Sequence, residues 1–167
     1  MVFALIAFPA WRKMDFNLDW SFKWKDLVMI GVMFSAILLT ILPMAIWIEF
    51  AKSGFTKKPY LIPVYFVAIW FAPALVEEIL FRGAIQNILI GWFKPVIGVM
   101  LASLIFGLSH VNDQVRDFNV PNWTYVALAG FTGIAYGLVA YKRNLQSSAT
   151  LHWVVDFVWW LLFKGGK

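Results

Sequence analysis

The sequence has no cysteine, which excludes disulfides, thiolate nucleophiles and Cys-ligated zinc. Histidine is nearly absent, at two in 167 residues, and charged residues make up only 14%. Most of the charge, including the net +5, lies outside the apolar stretches, as membrane flanks do, and nothing calls for a nucleic-acid partner. No internal repeat or low-complexity tract is present, which weakens a transporter built from repeated halves. The opening MVFALIAFPA lacks the basic n-region of a signal peptide and reads as the remnant of a longer first helix.

What is abundant is apolar surface. Hydrophobic residues make up 62% of the chain and aromatics 19%, with a mean hydropathy of +0.75; soluble domains are about 45–50% apolar. Leu27 to Ile48 carries no charge at all, and about 20 apolar residues suffice to cross the hydrocarbon core. The chain is therefore read as an integral, multi-pass membrane protein in contact with lipid.

Six apolar runs can be marked: Met1 to Ala10, Leu27 to Ile48, Leu61 to Phe93, Pro95 to Ser109, Trp123 to Tyr141 and Ala149 to Phe163. The third is too long for one straight span at about 1.5 Å per residue, so Pro63 and Pro73 kink it or it comprises two helices. Trp47, Trp92, Trp123, Trp159 and Trp160 stand near run ends, as an interfacial belt requires. WRKMDFNLDWSFKWKD mixes aromatics with both signs of charge and suits the headgroup zone. Gly133 and Gly137, four apart and following Gly130, mark a face for close helix packing rather than a substrate groove. With alternating spans, seven basic residues fall on one side and six on the other, which leaves the orientation open.

Against this background a few ionisable groups stand inside the runs: Glu77, Glu78, Arg82, His110 at a run's end, His152 and Asp156. A charge at the bilayer centre costs about 2.5–3.5 kcal/mol on insertion scales, so such groups face a bundle interior or wet cavity and mark function by default. Glu78 and Arg82 are four apart and can neutralise each other, while Glu77 points about 100° away around the helix and escapes that pairing. Phe106 and His110 repeat the spacing, so the ring can wall one side of the imidazole. His152 and Asp156 repeat it again, which lets the carboxylate fix the imidazole tautomer. The bland readings are a helix-locking ion pair, an interfacial histidine and a buried polar clamp. Both histidines and every intramembrane carboxylate, however, fall in three runs that one bundle can bring together, and that concentration favours a shared site.

A carboxylate and a neutral imidazole converging on one water form a general base, and further polar groups can stabilise the oxyanion formed at an attacked carbonyl. A serine mechanism through Ser109 is weak, because neighbouring side chains on a helix do not face each other. A divalent metal such as zinc is the competing solution, with Glu77, His110 and His152 as ligands, although the sequence holds no H-E-x-x-H. A partner-binding protein that keeps these residues as a polar core is the non-catalytic alternative.

The motifs EEILFR (Glu77, Glu78, Arg82), FGLSH (Phe106, His110) and HWVVD (His152, Asp156) occur in the order seen in one family. On them the chain resembles the CAAX prenyl endopeptidase and bacteriocin-processing (CPBP, ABI) intramembrane proteases over roughly residues 72–163. The resemblance implies an all-α, polytopic transmembrane bundle of about five to seven helices with a central polar cavity. It implies a single membrane domain, 1–167, with 1–60 as divergent N-terminal helices and interfacial segment and 72–163 as the catalytic core. It further implies Glu77 as general base, His110 as its partner in positioning water, Glu78 and Arg82 as support, and His152 with residue 156 as oxyanion stabilisers. No cofactor is favoured, although the family often carries a metalloprotease label. The implied substrate is a membrane peptide or protein, prenylated in part of the family, in a prokaryotic cell membrane; bacteriocin immunity is the alternative role. Two departures matter. Asp156 stands where many members have asparagine, and a carboxylate donates a hydrogen bond only when protonated, so it suits orienting His152 better than binding an oxyanion. The chain is also short, which leaves the cavity wall incomplete or completed by a second copy.

Overall fold

The computed structural model describes residues 22–47, 54–56, 58–111 and 123–163. The first apolar run, most of the aromatic–charged segment and the basic residues Lys52, Lys57, Arg116, Lys164 and Lys167 lie outside the described residues.

The described residues form an all-α bundle. Helix α1 spans Trp24–Trp47. A long helical stretch then comprises α2 (Ile62–Ile69), a π turn (Trp70–Ala74), α3 (Leu75–Glu78), a second π turn (Ile79–Gln86) and α4 (Asn87–Trp92). Helices α5 (Pro95–Ser109), α6 (Trp123–Lys142) and α7 (Leu145–Leu162) complete the bundle. Among the described residues three stretches, Trp24–Trp47, Pro59–Trp92 and Trp123–Lys142, are long and apolar enough to cross a membrane, with Pro95–Ser109 as a shorter apolar helix. Many large apolar side chains on these helices face outward, which a bilayer explains and water does not.

The third apolar run breaks at one of its two prolines. Ala72 leaves helical geometry (φ −155°, ψ 108°) before a cis Ala72–Pro73 peptide. Pro63 instead sits in the first turn of α2, where a missing N–H is harmless and nothing bends. Pro95 opens α5 in the same way. Asn144 caps α7 by accepting the Ser147 N–H at 2.7 Å, so α7 folds back on α6 after a short link.

The glycines bear out the packing reading. A Cβ on Gly133 would lie 2.9 Å from Phe106, and one on Gly137 would lie 2.6 Å from Gln86. Gly107 meets α6 backbone to backbone: a Cβ there would come within 2.5 Å of the Val126 carbonyl oxygen and 3.0 Å of Gly130 Cα. Helices α5 and α6 therefore touch without intervening side chains. The tryptophan belt holds only in part. Trp47, Trp92 and Trp123 are exposed, whereas Trp160 is buried and stacked on Tyr65, and Trp159 lines the internal cavity. These two are packing residues rather than interfacial anchors.

Candidate active site

The second helical stretch delivers Glu77, Glu78 and Arg82 to the centre of the bundle. Glu78 and Arg82 are both fully buried, with Arg82 Nη1 2.9 Å from Glu78 Oε1, a charge contact without hydrogen-bond alignment. The guanidinium donates from Nη2 to the Gly133 carbonyl at 2.9 Å and lies over the Phe106 ring, 4.3 Å from its centroid. Gly133 makes this reach possible, since a Cβ there would crowd Arg82 Nη2 at 3.1 Å. One turn on, Gln86 repeats the pattern, donating to the Gly137 carbonyl at 3.0 Å.

Glu78 also holds α7. Its Oε1 lies 3.1 Å from His152 Nδ1, and its Oε2 accepts from the Ser148 hydroxyl. The sequence reading assigned Glu78 to Arg82 and the orientation of His152 to Asp156. The structure divides that work: Glu78 takes Nδ1, and Asp156 Oδ2 lies 3.3 Å from Nε2. The Tyr136 ring stacks on the imidazole at 4.5 Å.

His110 is the first residue past the end of α5 (φ −93°, ψ 9°). Its Nδ1 donates to the Phe106 carbonyl at 2.7 Å, which fixes the tautomer and makes Nε2 the acceptor nitrogen. The Phe106 ring walls the imidazole edge-on at 4.7 Å, and Tyr125 closes another side at 5.4 Å. Because the helix ends here, Ser109 and His110 do meet, Oγ to Nδ1 at 3.2 Å, against the helical expectation. Ser109 Oγ also donates to the Phe106 carbonyl at 2.7 Å, so it lies at the nitrogen opposite Glu77.

Glu77 differs from Glu78: it is half-buried, with 27% of its side chain exposed. Its Oε2 lies 3.8 Å from His152 Nε2 and 3.9 Å from His110 Nε2, yet makes no hydrogen bond and is sealed from bulk solvent. These spacings exceed a direct hydrogen bond. All six residues singled out from the sequence thus meet in one region. Among the described residues no set of three or more His, Cys, Asp or Glu side chains is disposed to hold a metal ion, the alternative ligands Glu77, His110 and His152 included.

The site opens on a cavity of about 340 Å³, lined by Glu77, His110, His152 and Asp156 at its polar end. Phe34, Ile37, Leu38, Ile41 and Leu42 of α1 form an apolar wall. The cavity is therefore two-sided rather than uniformly polar, and α1 helps to close it. Sequence reasoning missed Ser148, Tyr136 and Gln86. Ser148 carried a signal, since Ser148, His152 and Asp156 share one helix face at steps of four. Tyr136 and Gln86 carried none.

Carboxylates and imidazoles around a partly apolar cavity, within helices of membrane-spanning length, are a set that suits a membrane-embedded helical hydrolase. The model of the Rce1-like family, type II CAAX prenyl endopeptidases, matches residues 59–158, and the chain belongs to that family. It is a CAAX-type intramembrane endopeptidase. The match begins upstream of residue 72, where the motifs alone set the boundary, and leaves α1 outside it. Comparison with curated proteins and with solved structures returns no match.

Proposed function

We propose that this enzyme hydrolyses its peptide bond with a water held between Glu77 and His110. The observation that carries the reading is Glu77 Oε2, buried, without a hydrogen bond, and under 4 Å from the Nε2 atoms of both histidines. The water donates one proton toward Glu77 and the other toward the Nε2 lone pair of His110, and its oxygen attacks the carbonyl carbon. Glu77 takes the proton as the C–O bond forms and returns it to the leaving amine as the C–N bond breaks. The ion pair of Glu78 and Arg82 fixes the helix that carries Glu77, and Glu78 with Asp156 fixes the orientation of His152. No step needs a metal.

The apolar wall contributed by α1 supports a substrate with a lipid-like segment beside the scissile bond, such as a prenylated C-terminal peptide. Aspartate at 156 supports a prokaryotic cell membrane, since the resemblance implies that part of the family's bacterial branch carries aspartate there.

Glu77→Gln keeps the shape and removes the base. Purified in detergent and assayed on a fluorogenic prenylated peptide, it should lose about 10²–10⁴-fold in kcat with its unfolding midpoint unchanged. Wild-type cleavage should persist in a strong chelator. An active Glu77→Gln enzyme overturns the assignment of the base, and chelator-sensitive cleavage assigns the residues to a metalloprotease.

A further inference from the structure

Attack on an amide carbonyl moves an electron pair onto oxygen, and that oxyanion needs a hydrogen-bond donor already in place. The cavity is rich in acceptors and poor in uncommitted donors. Asp156 and Glu77 accept when ionised. The Thr132 hydroxyl donates to the Leu128 carbonyl at 2.8 Å, and His110 Nδ1 donates to Phe106. Both His152 nitrogens face carboxylate oxygens. Tyr125 and Trp159 line the same cavity and each also interacts with other residues. One donor differs. Tyr136 lines the cavity and is only 2% exposed, yet its hydroxyl makes no hydrogen bond among the described residues. It is also not among the buried polar atoms sealed without a partner, so the small exposure left to it is toward the cavity. Its ring is held in place by the His152 stack at 4.5 Å and 20°, the Phe106 edge at 6.2 Å and the Arg82 guanidinium 5.3 Å from its centroid. A ring so fixed need not reorganise when charge develops.

We propose that Tyr136 is a further catalytic residue, whose hydroxyl donates the hydrogen bond that stabilises the oxyanion of the tetrahedral intermediate beside His152. The inference rests on the reading of Glu77 and His110 as the water-activating pair. The electron pair of the C=O bond moves to oxygen as the new C–O bond forms, the tyrosine keeps its proton throughout, and the pair returns as the C–N bond breaks.

Tyr136→Phe removes one oxygen and retains the stacked ring, so folding is preserved and an unfolding midpoint in detergent checks that it is. On the fluorogenic prenylated peptide, kcat should fall about 10²–10³-fold while KM stays as in the wild type. A second measurement is independent of turnover: affinity for a peptidyl phosphonamidate, whose tetrahedral oxygens mimic the oxyanion, should fall by a similar factor. Wild-type kcat or undiminished phosphonamidate affinity in Tyr136→Phe overturns the proposal. If Glu77→Gln is inactive while Tyr136→Phe is fully active, the oxyanion assignment fails alone. If both variants are fully active, the water-activation reading fails with it.

Discussion

Alanine at Gly107 and alanine at Gly130 are the same chemical change on facing helices, and the structure expects opposite outcomes. A Cβ on Gly107 falls 2.5 Å from the Val126 carbonyl oxygen and 3.0 Å from Gly130 Cα, both backbone atoms that cannot rotate away. Ordinary contact begins at 3.4 Å, so α5 and α6 must separate by about 0.9 Å (3.4 − 2.5). A Cβ on Gly130 meets Ser103 O at 3.6 Å and Gly107 Cα at 3.9 Å, which is ordinary packing. Both variants gain the same helix propensity, so their difference isolates the overpacking, about 1–3 kcal/mol. Gly107 also lies in the last turn of α5, three residues before His110, which directly follows the helix end. A shift near 1 Å in a catalytic group costs about 10²-fold in rate. Unfolding in a detergent–denaturant titration and cleavage of the fluorogenic peptide should therefore both penalise Gly107→Ala and spare Gly130→Ala. Equal stability and equal activity for the two variants would refute the backbone contact, and with it the claim that helix approach sets the position of His110.

Glu78→Gln strands the buried Arg82 guanidinium and should cost about 3–5 kcal/mol in the same unfolding titration, whereas Glu77→Gln should lose activity alone; reversed phenotypes would exchange their roles. Ser148→Ala removes a donor from the buried Glu78 carboxylate and is expected to cost about 1–3 kcal/mol, read as a lowered unfolding midpoint. Bulk added to the α1 wall by Ile37→Trp should raise KM for a prenylated peptide more than for the same peptide without its lipid; an equal effect on both would remove the apolar wall from substrate recognition.

Much of this site is local and could be read along the chain. An i,i+4 step is fixed by the helix itself, so the pairs Glu78–Arg82, Phe106–His110 and His152–Asp156 were legible before any fold was known, and all three are present. The membrane setting was equally legible, because long uncharged runs have few other fates. The exceptions arise where regular helix ends. Ser109 meets His110 because α5 stops there, and the third run breaks at Pro73 while Pro63 merely opens a helix.

The partition of roles belongs to the tertiary structure. Glu78 reaches Ser148 and His152 across 70 and 74 residues of chain, and such contacts depend on how far each helix is rotated and how closely it approaches its neighbour. Those two quantities are set by glycines at the crossings, of which the spacing of Gly133 and Gly137 gave the face, and by buried donors seeking carbonyls, which periodicity does not reveal. The sequence alone determined that the charges had to be gathered away from lipid. The step of four had already paired Glu78 with Arg82 and left Glu77 outside that pair; only packing decided that Glu78 would also hold Ser148 and His152 across the bundle.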